Sequence, residues 1–337
     1  MRRSARTVGA MLHETAAELV SPGKGILAAD ESVATISARF AALDIASTEE
    51  SRRRYRELLL SAPGIEQYVS GVILYDETIR QRARDGRPFP EVLAERGILT
   101  GIKVDTGAKS LAGWPGETVT EGLDGLRERL TEYRSLGARF AKWRAVFTIG
   151  DGLPSDACTV ANAHALARYA ALCQEGGLVP IVEPEVLLAG DHDLARCGRV
   201  TTGVLTAVFG ELARFGVDLA GMVLKPSMVV PGTVHEVPVD EVAEATIACL
   251  TGTVPAAVPG IAFLSGGQGA ALAIAHLEAM CQRGPHPWAL TFSFGRALQD
   301  AALGRWAGDS VAVPAAQAAL LADARAASAA TMSRCAA

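Results

Sequence analysis

The stretch that decides the fold lies between residues 140 and 225 and reads FAKWRAVF (140–147), SDACTVANAHALARYAALCQEGG (155–177), LVPIVE (178–183), DHDLARCGRVTTGVLTAVFGELARFG (191–216) and AGMVLK (220–225). Short β-rich apolar runs alternate here with longer segments of helical period. One helical segment runs from Ser155 through Leu166, Tyr169 and Cys173 to the stop Gly176-Gly177. The next opens on Asp191-His192-Asp193, read as a helix start in a surface loop, where carboxylates suit a helix N-terminus. It repeats Val200, Val204, Val208, Leu212 and Phe215 and stops at Gly216. Strand, helix, strand at this spacing predicts parallel strands joined by helical crossovers.

The same rhythm continues on both sides. Runs at Gly25–Ala29, Val69–Tyr75, Leu99–Val104, Ile261–Ser265 and Leu290–Phe294 bring the apolar segments to eight, and another helical pattern carries Leu126, Leu130 and Tyr133 before Gly137. Eight such units predict an α/β fold, a single-domain (β/α)8 TIM barrel, with strands within residues 25–296 and a helix ahead of them. A doubly wound open sheet is the alternative. No Pro/Gly/Ser linker divides residues 1–337, and the Ala-rich residues 314–337 read as a C-terminal helix and tail.

Composition fits one large core: 337 residues, 49% hydrophobic and 20% charged, which excludes disorder. The net charge of −5 and the lack of a basic block argue against nucleic acid and anionic membranes as partners. Met1-Arg2-Arg3 resembles the start of a signal peptide, but His13, Glu14 and Glu18 leave no apolar core behind it, so a cytoplasmic protein is expected. Cys158, Cys173, Cys197, Cys249, Cys281 and Cys335 lie far apart and read as reduced core thiols. His13, His164, His192, His235, His276 and His286 are scattered, so no metal is expected.

Of 32 lysines and arginines only Lys24, Lys103, Lys109, Lys142 and Lys225 are lysine. A chain that favours arginine keeps lysine where an amine must shed its proton. Lys103, Lys142 and Lys225 sit inside apolar runs, where charge is costly. In a barrel the active site lies at the C-terminal strand ends. Those ends carry Asp30, then Lys103 and Asp105, Lys142 and Arg144, Glu183 and Glu185, and Lys225. Residues two apart share a face, so each pair points the same way. Ser265-Gly266-Gly267 and Gly295-Arg296 close the last two strands, where barrels commonly bind phosphate, and Lys103 and Arg39 could serve a second phosphate. Lys225 ends a hydrophobic strand, with Glu183 between it and Lys142. Burial and a neighbouring cation favour a neutral, nucleophilic amine, and a carboxyl can move the protons of imine formation. Lys225, with the most apolar flank, is the preferred nucleophile, and Lys142 is the alternative.

The segments GILAADES (25–32), GIKVD (101–105), AKWR (141–144), VPIVEPE (179–185), LKPSM (224–228), FLSGGQ (263–268) and WALTFSFGRAL (288–298) resemble those of class I fructose-bisphosphate aldolases, in order along most of the chain. The resemblance implies reversible cleavage of fructose 1,6-bisphosphate to dihydroxyacetone phosphate and glyceraldehyde 3-phosphate, in glycolysis and gluconeogenesis, by a metal-free homotetramer. It implies Lys225 as the Schiff-base lysine, Glu183 as acid/base for the imine and Asp30 as base at the fourth-carbon hydroxyl. Lys142 would support charge and proton traffic, and Glu185 would orient its neighbours. Ser265, Gly266, Gly295 and Arg296 would hold the 1-phosphate; Ser32, Arg39 and Lys103, with Arg144 nearby, the 6-phosphate. The chain departs from the family pattern at Val33-Ala34-Thr35, where Thr-Gly-Ser is usual, at Ser227, at Phe294, and in a tail whose last tyrosine is as far back as Tyr169. The animal enzymes end in a tyrosine that assists proton transfer, so a phenol cannot act from this tail.

Overall fold

In the computed structural model, which describes residues 2–333 and the surroundings of side chains from Val8 onward, eight parallel strands among the described residues close into a barrel. They are β1 (Gly25–Ala29), β2 (Val69–Leu74), β3 (Leu99–Lys103), β4 (Phe140–Phe147), β5 (Val179–Val186), β6 (Val223–Leu224), β7 (Gly260–Phe263) and β8 (Ala289–Phe294). Each pairs with the next, and β8 closes on β1. The closed barrel excludes the open sheet. β6 is shorter than the sequence suggests, because Asp218 accepts from the Ala220 N–H at 3.1 Å and turns Leu219–Gly221 into a 3₁₀ segment. A hairpin of Gly107–Ser110 and Thr118–Glu121 comes after β3 and was not expected.

Alternation along the strands builds two cores. Outward residues such as Leu27, Val72, Ile102, Trp143, Val182 and Phe263 meet the surrounding helices. Inward residues at the start of the strands, Ile26, Phe140, Val179, Ile181 and Val223, meet Leu12, Ala16 and Leu19 of the helix Arg2–Leu19, which closes the N-terminal end of the barrel. The helices Asp156–Glu175 and Leu194–Arg214 start on the caps Ser155 and Asp193, as the pattern indicates. The final helix spans Val313–Met332; the last residues of the tail and Cys335 lie outside the described residues. Cys158, Cys173, Cys197 and Cys249 are free and buried, whereas Cys281 is only half-buried.

Phe140 fills the barrel floor beneath the site, and Gly101 makes room for it: a Cβ on Gly101 would lie 2.1 Å from the Phe140 ring. Gly101→Ala is therefore expected to destabilise the fold by about 1–3 kcal/mol. Urea unfolding of this variant measures the loss, and Phe140→Leu in the same chain should recover part of it. An unchanged midpoint would show that the floor repacks freely.

Candidate active site

The inward rows change character along each strand. Ile26 and Ala28 lead to Asp30, Phe140 to Lys142 and Arg144, Val179 and Ile181 to Glu183 and Glu185, and Val223 to Lys225. The floor of the barrel is thus apolar and the opposite end charged. Leu224 pairs with Val182, and the Lys225 N–H donates to the Val182 carbonyl at 2.8 Å, which sets Lys225 level with Glu183. Pro226 has no N–H to continue the ladder. Its carbonyl accepts from Leu264 N at 3.1 Å and ties the end of β6 to the loop after β7.

These ends hold a continuous chain of buried charge. Lys142 Nζ lies 2.6 Å from Asp30 Oδ2 and 3.0 Å from Glu183 Oε2, and Lys225 Nζ lies 2.9 Å from Glu183 Oε1. Lys142, Glu183 and Lys225 are only 4%, 3% and 3% exposed. The Lys142–Glu183 approach is a charge contact without hydrogen-bond alignment, since Glu183 Oε2 has no hydrogen-bond partner. Burial pushes the Asp30 carboxyl up, but Lys142, Lys225 and Lys103 outweigh it and hold the group far below the usual carboxylate range. Glu183 shows the same pattern: burial raises it, and Lys142, Lys225 and Arg144 bring it below its ordinary value. Burial alone would lower Lys142; Asp30, Glu183 and Asp105 reverse that and hold it protonated. Lys142, flanked by two carboxylates, is a fixed cation, whereas Lys225 meets one carboxylate.

A cavity of about 720 Å³ opens on this chain. Its lining includes Asp30, Lys142, Arg144, Glu183, Glu185 and Lys225, and on its rim Arg39, Ser265, Gly266, Gly295 and Arg296. Gly266 and Gly267 take φ of +60° and +94°, a left-handed turn that suits glycine. Arg296 reaches across it, with Nη2 3.5 Å from where a Gly267 Cβ would stand. Helix Arg296–Trp306 starts at this point, so its first turn adds an N-terminal dipole to the rim. Arg144 Nε donates to Glu185 at 2.5 Å, which fixes both side chains.

Two expected site residues stand outside the lining. Ser32 caps the helix Val33–Ala41, its Oγ accepting from Thr35 N at 3.3 Å, and Thr35 lines the cavity instead. Lys103 is turned to Asp105, 3.6 Å away. His192, expected in a surface loop, is buried with both ring nitrogens unpartnered, whereas Asp193 beside it caps its helix by accepting from Arg196 N at 2.6 Å. Sequence reasoning missed the set around Arg39, namely Glu31, Arg56, Gln299 and Asp300. Part of it was legible, since Asp300 stands four residues after Arg296 and shares its helix face. Among the described residues no group of three or more His, Cys, Asp or Glu side chains could hold a metal ion.

A (β/α)8 barrel with two buried lysines sharing a carboxylate, beside a rim of glycine turn, helix N-terminus and arginines, is equipped for amine chemistry on an anionic carbonyl compound. Comparison with known proteins narrows that class. The chain belongs to the class I fructose-bisphosphate aldolase family, whose model it matches over residues 11–337. It is 59% identical over 300 residues to a probable fructose-bisphosphate aldolase class 1 of Xanthomonas campestris pv. campestris, covering 88% of this chain and 90% of that one. It is 51% identical over 320 residues to the cytosolic fructose-bisphosphate aldolase 4 of Arabidopsis thaliana, covering 94% and 81%. A fructose-bisphosphate aldolase of Plasmodium falciparum, solved in a ternary complex with TRAP and a small-molecule inhibitor, superposes with a TM-score of 0.96. It is 45% identical, covering 98% of this chain and 96% of that one. Class I members are lyases that work through a lysine Schiff base and need no metal.

Proposed function

We propose that Lys225 forms the imine and that Glu183 and Asp30, held in place by the fixed cation Lys142, move the protons of a reversible aldol cleavage of fructose 1,6-bisphosphate. The observation that carries this assignment is the asymmetry of the two lysines. Lys142 is clamped as a cation between Asp30 and Glu183, whereas Lys225 contacts Glu183 alone, 2.9 Å away. Once Lys225 is neutral, it attacks the substrate carbonyl, and Glu183 exchanges protons with the carbinolamine so that water leaves. Asp30 is held ionised, the state from which a base must take the fourth-carbon hydroxyl proton as the bond between the third and fourth carbons breaks. The electron pair of that bond passes into the protonated imine, giving the neutral enamine of dihydroxyacetone phosphate and releasing glyceraldehyde 3-phosphate. Lys142 stabilises the carboxylates on either side of it, and Glu185 orients Arg144.

The 1-phosphate fits Ser265, Gly266, Gly295 and Arg296, where a left-handed turn, a helix N-terminus and an arginine with no ion pair among the described residues converge. The 6-phosphate fits Arg39 and Thr35, with Arg144, Ser32 and Lys103 as further ligands. Family membership supports a homotetramer. The cytosolic name of the Arabidopsis relative supports a cytoplasmic location. Among the described residues no helix is long and apolar enough to cross a membrane.

Borohydride reduction in the presence of dihydroxyacetone phosphate and a chelator, with peptide mass mapping of the product, tests the assignment. A reduced adduct on Lys225 is expected. An adduct on Lys142 would keep the reaction class and reverse the two lysines, and no adduct on folded protein would remove the imine.

A further inference from the structure

The two rim arginines differ in what they touch. Arg296 has no carboxylate partner among the described residues, whereas Arg39 is paired with two carboxylates. Arg39 Nη1 donates to Glu31 and, at 3.1 Å, to Gln299 Oε1, and its Nη2 donates to Asp300 Oδ1 at 2.8 Å. The first two partners are fixed. Glu31 Oε2 also accepts from the buried Arg56 at 2.8 Å. Gln299 is held by donating to the Ala28 carbonyl at 2.6 Å and accepting from Tyr55 OH at 3.0 Å. Asp300 is different: its side chain is 62% exposed, at the outer edge of the cluster. It lies one helical turn from Arg296 along the same helix. The charges of Arg39 and Arg56 are cancelled by Glu31 and Asp300, so with Asp300 in place the Arg39 cluster is neutral overall.

We infer that Asp300 is a specificity-determining residue, an acidic latch that competes with the distal phosphate for Arg39 and lowers the preference for bisphosphate over monophosphate substrates. The inference rests on the reading of Arg39 as a ligand of that phosphate. A phosphate approaching Nη2 must share that nitrogen with the Asp300 carboxylate or displace it, and the opposed negative charges add to the cost. Because the Asp300 side of the pair faces water, the displacement is inexpensive and the latch tunes affinity rather than blocking the site.

Steady-state cleavage of fructose 1,6-bisphosphate and fructose 1-phosphate by Asp300→Asn, Arg39→Ala and the double variant tests this. Asp300→Asn keeps the shape and removes the charge. Its KM for the bisphosphate is expected to fall about twofold to fivefold, the scale of an exposed ion pair. Its kcat, and its KM for fructose 1-phosphate, should stay unchanged. In the Arg39→Ala background the same substitution should have a smaller effect, that of the repulsion alone. If Asp300→Asn leaves the ratio of kcat/KM for the two substrates unchanged while Arg39→Ala collapses it, the latch is wrong and the phosphate reading of Arg39 stands. If Arg39→Ala itself leaves that ratio unchanged, the reading of Arg39 fails and the latch with it.

Discussion

Lys225→Arg is expected to lower fructose 1,6-bisphosphate cleavage by at least about 10⁴-fold, the scale of removing a covalent nucleophile. Guanidinium keeps the positive charge that faces Glu183 but does not shed its proton at any working pH, so it cannot form an imine. The choice of arginine separates chemistry from electrostatics. Lys225 is 3% exposed, and its Nζ lies 2.9 Å from Glu183, so a neutral replacement would also strip a buried carboxylate of one partner. Arginine is larger, and overpacking at this buried position is expected to cost about 1–3 kcal/mol, which the barrel can absorb. The measurement is turnover under saturating substrate, with circular dichroism and urea unfolding to establish that the variant is folded. Borohydride should then trap no adduct with dihydroxyacetone phosphate. Turnover within about 100-fold of the parent, or a trapped adduct on Lys142, would transfer the nucleophile's role to Lys142.

The barrel was legible because both faces of most strand positions are buried and the runs are therefore largely apolar, as in Val69–Leu74 and residues 179–182. Interruption of those runs by charge exposed the site: Lys142, Glu183 and Lys225 break an apolar pattern where no packing argument calls for them. The hairpin after β3 was not legible for the opposite reason. Its strands are short and largely exposed, and they are pinned by a distant residue, Asn162, whose Oδ1 accepts from Thr120 N at 3.1 Å while its Nδ2 donates to Thr118 O at 2.9 Å. Partner choice among the arginines was hidden in the same way. Arg39 stands 261 positions from Asp300, and no local pattern announces the contact. Motifs carry the identity of site residues, but which cation a given carboxylate occupies is a property of the closed barrel.

Lys142→Met should have the largest effect on stability, and its pH dependence tests the charge chain directly. In the parent, burial raises Asp30 and Glu183, but Lys142 is the strongest opposing influence on both and they end below their ordinary values. A carboxylate lowered by folding contributes stability above the unfolded carboxylate range and loses it as the pH falls through the folded value. Without Lys142, Asp30 loses the cation 2.6 Å away and keeps the burial, so its titration moves upward past the ordinary carboxylate value. A group raised by folding contributes stability only below its unfolded value, and that contribution vanishes as the pH rises through the folded one. The deficit of the variant relative to the parent is therefore greatest at neutral pH, about 3–5 kcal/mol for a buried carboxylate stripped of its partner. It should shrink as the pH is lowered toward about 4, the unfolded carboxylate range. Methionine matches the length of the lysine stem, so cavity formation contributes little to the difference. Urea unfolding of both proteins across this pH range supplies the comparison. A deficit that does not change with pH would mean that the lysine stem, and not its charge, holds the strand ends together.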